Sequence, residues 1–287
     1  MRELELKTEI SDFEKTIDLI MAGEKGLSYS ASSAFLKSPK HFYEYKTGVK
    51  ETTKAMLEGQ MFHMACLEIE KFHKKYWVLD DSEKCIEIGC AKPRATKVYK
   101  EWLEQQDLLH KGQERISKDD FDTYVNMSKA LYRNKSAGIL MKNLIAKEEG
   151  FETIIDGFKF TGKIDGRGEV KKEGFKDNIL GLEIGDKYQI DLKKYADASY
   201  EKIKWDIKKM NYHLQGGLYS KVSNIDKYYL VYIDKSCNIT VVKLDTSVLE
   251  EGFRKLEFML AEFTRCAEEN AWHSSYEFHN GGYINFS

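Results

Sequence analysis

Residues 161–166 read Thr161-Gly162-Lys163-Ile164-Asp165-Gly166, and residues 189–194 read Gln189-Ile190-Asp191-Leu192-Lys193-Lys194. Each is a short apolar run that delivers an acidic residue, and the second adds a lysine two positions on. Side chains two apart in a strand point to one face, so Asp191 and Lys193 share a face while Leu192 turns toward a core. Two carboxylates and a lysine meeting at neighbouring strands can hold a divalent cation and orient a water beside a phosphate. Taken alone, an Asp-x-Lys triplet is equally the signature of a surface salt bridge.

Working outward, Phe151 to Ile155 and Phe158 to Asp165 read as a hairpin turning at Asp156-Gly157. The polar, glycine-dotted segment from Glu169 to Lys187 reads as a loop or extended hairpin, and Tyr188 to Leu192 is the third strand. Ser199 to Met210 and Tyr212 to Val222 have helical patterning, Tyr228 to Ile233 and Ile239 to Leu244 are strands, and a last helix spans about Ser247 to Glu269. The order β-β-β-α-β-β-α predicts an α/β fold, a mixed central sheet flanked by helices.

The region before Glu148 is mainly helical. Ser11-Asp12-Phe13-Glu14 resembles a capped helix start. Ser30 or Ser32 can cap a short helix, or their hydroxyls and the free N–H groups there can hold a phosphate. Thr53 to Ile69 is an amphipathic helix with Gly59 and His63 on one face; the glycine admits a neighbouring backbone, and the histidine is either a core residue or a ligand. A short strand is expected from Lys74 to Val78, and helices over Lys92 to Gln106 and Ser117 to Asn134. Gln215 and Tyr219, again i and i+4, flank Gly216-Gly217, a pair suited to close helix–sheet packing. They either contact phosphate and orient Lys193, or are ordinary solvated and packing residues.

The 287 residues, 42% hydrophobic and 32% charged with net charge −2, supply a core and a soluble surface. No apolar run approaches the ~20 residues of a membrane helix, and the acidic N-terminus does not read as a secretory signal; an intracellular protein without a membrane partner is expected. The five cysteines are scattered, without C-x-x-C spacing. Lysine clusters at 92–100 and 202–209 are candidate nucleic-acid patches or plain solvated faces. With two prolines and no linker-like tract, one domain over 1–287 is expected: 1–147 mainly helical, carrying Ser30, Ser32 and His63, and 148–287 forming the sheet core and C-terminal helix.

Gly59-x-x-x-His63, Gly162-Lys163-Ile164-Asp165, Asp191-Leu192-Lys193 and Gln215-x-x-x-Tyr219 occur in the order seen in RecB-type PD-(D/E)xK nucleases, which they resemble. Tyr29 to Ser32, Ser38-Pro39-Lys40-His41-Phe42 and Leu57 to His63 are similar to the RecE (exonuclease VIII) group. The resemblance spans roughly Ser30 to Tyr219. It implies a restriction-endonuclease-like core and an Mg²⁺-dependent exonuclease, with Mn²⁺ substituting, that resects linear duplex DNA ends 5′→3′. His63, Asp165, Asp191 and the Leu192 carbonyl would bind metal, Asp165, Asp191 and Lys193 would be catalytic, and Ser30, Ser32, Gln215 and Tyr219 would contact DNA. It also implies phage-type recombination in the bacterial cytoplasm, a single-strand annealing partner and a ring-shaped homo-oligomer. Two departures stand out: the long Asp165–Asp191 connection, through which Glu183 or Asp186 could enter the site instead, and the missing four-cysteine pattern, so no iron–sulfur cluster is expected. The rival readings are an endonuclease or single-strand nuclease of the same fold, and a non-catalytic DNA-end or partner-binding module.

Overall fold

The computed structural model describes residues 2–49, 52–171 and 179–281, with backbone alone over 2–10. Its strands are β1 (Tyr76–Leu79), β2 (Glu114–Ser117), β3 (Leu144–Ile155), β4 (Phe158–Glu169), β5 (Lys187–Lys194), β6 (Tyr228–Ile233) and β7 (Ile239–Leu244). The helices are α1 (Arg2–Met21), α2 (Tyr29–Lys37), α3 (Pro39–Thr47), α4 (Lys54–Leu67), α5 (Ile69–Lys75), α6 (Ser82–Ile88), α7 (Lys97–Leu109), α8 (Lys118–Arg133), α9 (Lys135–Lys142), α10 (Tyr200–Lys209), α11 (Tyr212–Ser223), α12 (Thr246–Glu268) and α13 (Glu277–Asn280).

Asp156 and Gly157 turn the chain with φ of 49° and 83°, the left-handed pair that matches strand twist in a two-residue hairpin. That turn sets the β3–β4 register, and the main sheet continues in the order β3-β4-β5-β6-β7. Within this sheet the parallel pair is β5 and β6, joined by the helical crossover α10–α11. The sheet is therefore mixed, as the strand order implied. It is covered on both faces. Along β6, Tyr228, Leu230 and Tyr232 enter the core under α1, α2, α11 and α12, while Tyr229, Val231 and Ile233 enter the core under α4, α8 and α9. The alternating side-chain direction of a strand thus splits one apolar run between two hydrophobic layers.

Several local expectations change. Helix α1 already begins at Arg2, so Ser11-Asp12 lies inside it rather than at its start. Ser28, not Ser30 or Ser32, caps α2, accepting from Ala31 N at 3.2 Å. The strand expected over Lys74 to Val78 is present as Tyr76–Leu79, and it pairs in parallel with Glu114–Ser117, a strand not expected from the sequence, to form a small second sheet. The Glu169–Lys187 segment, residues 172–178 of which lie outside the described residues, extends the β4–β5 hairpin: Glu169 pairs with Lys187 and Val170 N donates to Asp186 O. A longer turn at that end leaves the register at the other end unchanged.

The Gly216-Gly217 pair divides its work. A Cβ on Gly216 would meet Leu249, Leu244 and Tyr228 side chains, whereas one on Gly217 would lie 2.5 Å from Leu249 O, on α12 rather than the sheet. On the facing helix, a Cβ on Gly252 would lie 1.9 Å from His213 O. Helices α11 and α12 touch backbone to backbone, which no side-chain rearrangement can relieve. Gly252→Ala is expected to destabilise the fold by about 3 kcal/mol or more, seen as a lowered urea midpoint; a wild-type midpoint would mean the helices separate at no cost.

Candidate active site

Asp191 and Lys193 face α11 while Tyr188, Ile190 and Leu192 pack on the opposite side of β5. Lys193 Nζ lies 2.7 Å from Asp191 Oδ2 and donates to Gln215 Oε1 at 3.2 Å, above the Tyr212 ring at 4.3 Å. Gln215 Nε2 donates to Asp191 Oδ1 at 2.9 Å. An ammonium can only donate and a carboxylate can only accept, so these partners fix the orientation of the amide. Gln215 is buried and bonded at both ends, an arrangement that holds Asp191 and Lys193 in place.

Asp165 reaches across from β4. Its Oδ2 accepts from Leu192 N at 2.7 Å, and its Oδ1 lies 3.6 Å from His63 Nδ1 on α4. The same imidazole nitrogen lies 3.5 Å from Glu148 Oε1. Among the described residues, His63, Glu148 and Asp165 form a group whose ligand atoms fall within 4.8 Å of one another. Glu148 was not in the ligand set read from the sequence. The signal was nevertheless present: the two-residue turn pairs Lys147 with Gly166 and Glu149 with Ile164, which puts Glu148 opposite Asp165. Counting back from Asp156-Gly157 reaches it. Its φ of 51°, uncommon for a residue with a side chain, is a tertiary feature that no count reveals.

His63, Asp165, Asp191, Lys193 and Gln215 line a cleft of about 770 Å³ together with Ser28, Tyr29, Ser30, Gly59, Thr161, Gly162, Leu192 and Tyr219, and Glu148 sits beside it against His63. The α2 N-terminus arrives there because Leu27 pairs with β4, donating to Lys159 O and accepting from Thr161 N. Gly59 opens onto the cleft: an added Cβ would meet nothing within 4 Å, so no neighbouring backbone approaches it as expected from sequence. Tyr219 packs edge-on to Phe151 at 5.1 Å. Ser32 does not belong to this group. It is fully buried, and its hydroxyl donates to Ser28 O at 3.0 Å, so it is not available to DNA. Asp186 is paired with Lys227 at 2.6 Å and accepts from Glu183 N, at the turn end of the hairpin; neither acid enters the site.

The cleft is suited to a cation. Glu148 Oε1 is a buried oxygen without a hydrogen bond, a costly state that a bound cation relieves, and a set of carboxylates with one imidazole can ligate a divalent metal ion. Burial pushes the Asp165 carboxyl up to about 7, with the Asp191 charge adding to this and His63 opposing it. For His63, burial acts downward, but Asp165, Glu148 and Asp191 outweigh it and raise the imidazole to about 9. Burial acts upward on Glu148, yet its contacts with His63 and Lys163 hold it below the usual glutamate range. Ligation needs neutral His63 and ionised Asp165, so binding must release protons. Divalent-metal affinity is expected to rise between pH 7 and 9, with calorimetric heats that depend on buffer ionisation enthalpy; buffer-independent heats would place the ion elsewhere.

A mixed sheet whose adjacent strands present Asp165 and Asp-x-Lys to one cleft defines a PD-(D/E)xK-type fold. Residues 28–277 match the family model described as "PDDEXK-like domain of unknown function (DUF3799)", and the chain belongs to that family. A crystal structure from Eubacterium rectale, described as a candidate exonuclease, is similar with a TM-score of 0.52 at 15% identity, covering 88% of this chain and 84% of that one. The crystal structure of SSO0001 aligns at a TM-score of 0.27 and 17% identity over 72% of this chain and 86% of that one, too low to bear on the fold. No protein of curated function matches the sequence. The five cysteines are free, with Cys66 and Cys266 buried, and no helix among the described residues is long and apolar enough to cross a membrane.

Proposed function

We propose that the protein is a divalent-metal-dependent exonuclease that resects linear duplex DNA ends 5′→3′. The observation that carries this reading is the convergence of His63, Asp165, Asp191 and Lys193 on one open cleft, with Glu148 against His63 beside it. His63, Glu148 and Asp165 would hold the cation, with Asp191 beside them. When bound, the cation supplies Lewis-acid polarisation of a phosphate and neutralises part of its charge. Lys193, held by Asp191 and Gln215, orients the attacking water and offsets charge gathering on the phosphate. The Ser30 hydroxyl and the N–H groups at the start of α2 offer contacts for a backbone phosphate, and Tyr219 closes the wall behind Gly162. The Leu192 carbonyl, a ring-shaped homo-oligomer and a single-strand annealing partner belong to the same proposal.

End-labelled linear duplex incubated with Mg²⁺ tests it. Mononucleotide release from 5′ ends is expected, with covalently closed circles untouched. Cuts in closed circles would make the protein an endonuclease, and binding without cleavage would make it a DNA-end-binding module.

A further inference from the structure

Helix α10 buries Ile203 against the sheet but leaves Trp205 71% exposed and Tyr200 65% exposed. Neighbours three and four positions away share a helix face. Trp205 therefore has Lys202 and Lys208 at i−3 and i+3 and Lys209 at i+4, all exposed. Lys204 Nζ lies 5.6 Å from both the Tyr200 and Trp205 ring centroids, and pairs with Glu201 at 3.0 Å. The helix runs to the rim of the cleft. Met210, the next residue, lines it, and the Tyr29 hydroxyl donates to the Met210 carbonyl. Trp205 stands five residues back, about 7.5 Å along the axis, roughly two nucleotide rises of ~3.4 Å.

We propose that α10 is a stacking platform for unpaired nucleotides of a DNA strand at the mouth of the cleft. Trp205 stacks on a base, and Lys202, Lys208 and Lys209 contact flanking phosphates. Every base has a π-face, so such a surface binds single strands with little sequence preference. Charge decides between occupants. The centre of a protein–protein interface is depleted in lysine, whereas lysine surrounds this tryptophan. A membrane-surface helix needs a wide apolar face, and the Ile203 face of α10 is already spent inside the protein. The placement beside the cleft rests on the nuclease reading; the binding itself does not.

The test titrates the protein with oligo(dT) in EDTA, following tryptophan emission. Of the four tryptophans, Trp77 and Trp272 are buried at 7% and 4% exposure, which leaves Trp205 the most accessible to a base. Saturable quenching is expected, absent with an abasic oligomer of equal length. Trp205→Ala is expected to lose the quench and to weaken binding about 10-fold, equivalent to ~1.4 kcal/mol. The triple variant Lys202→Ala/Lys208→Ala/Lys209→Ala should keep the quench at low salt and show a shallower salt dependence. Thermal melts verify that these surface variants fold. Unchanged oligo(dT) affinity in Trp205→Ala overturns the proposal. So does an emission response to phosphatidylserine vesicles but not to DNA, or an oligomer that Trp205→Ala dissociates without any effect on DNA. Quenching without nuclease activity would sink the nuclease reading alone; cleavage with Trp205-independent strand binding would sink the platform alone.

Discussion

Lys193→Ala is expected to reduce Mg²⁺-dependent cleavage by about 10³-fold or more while leaving duplex affinity nearly unchanged. Three elements hold this ammonium: Asp191 on its own strand at 2.7 Å, Gln215 from α11 at 3.2 Å, and the Tyr212 ring at 4.3 Å. A flexible lysine whose ammonium is held from three sides is preorganised, and its charge needs no rearrangement as negative charge builds on a phosphate. Duplex affinity is spread over many phosphate contacts, so losing one charge changes binding far less than it changes the chemistry. Lys235→Ala is the control. Lys235 is half-exposed and bonded to Glu58 at 3.3 Å, and its loss should leave the rate within about 2-fold, as for most surface substitutions. Single-turnover cleavage of an end-labelled duplex measures both; a parental rate in Lys193→Ala would remove this lysine from the mechanism.

Asp165→Asn is expected to move activity and stability in opposite directions. The substitution removes a carboxylate that shares a buried site with Asp191, while an amide oxygen can still accept from Leu192 N. The metal-free variant should therefore melt higher than the parent at neutral pH, as often happens when a charged functional site is neutralised. Its cleavage and its metal-induced rise in melting temperature should both be lost. The pH dependence has a definite sign. Asp165 is raised from 3.8 to about 7 and His63 from 6.5 to about 9. Each group therefore contributes stability that is fully present below its unfolded pKa and lost as pH rises through its folded pKa. Metal-free parent protein should lose stability from these groups between about pH 4 and 9, and the Asp165 share, over pH 4 to 7, should vanish in the variant. Calorimetric melts with and without Mn²⁺ decide it. A variant that melts lower than the parent, or still gains stability from metal, would show that Asp165 is a structural acid rather than a ligand.

The sheet was legible because its information is local. Asp156-Gly157 can only turn tightly, the unbroken apolar run Tyr228–Ile233 marks a strand buried on both faces, and Asp191-Leu192-Lys193 must split across the two sides of β5. The same local rules misplaced what depends on distant packing. Ser32 has the composition of a cap or a phosphate contact, yet the burial of α2 against the core seals it off. Gly59 was read as a contact for backbone and instead leaves room in the cleft. Glu183 and Asp186 were rivals only while the length of the hairpin beyond Glu169 was unknown.

By itself, the sequence determined which strands of the main sheet exist, their order along the chain, and that Asp165, Asp191 and Lys193 stand on strands of one sheet, because side-chain alternation and turn chemistry act within a few residues. The tertiary structure alone decided that α4 brings His63 within 3.5–3.6 Å of Glu148 and Asp165, and that α11 locks Lys193 through Gln215. Those placements depend on how helices pack against the two faces of the sheet. Packing distances of a few ångströms are set by the sum of many side-chain volumes, including the absent side chains of Gly217 and Gly252, and no short stretch of sequence contains that sum.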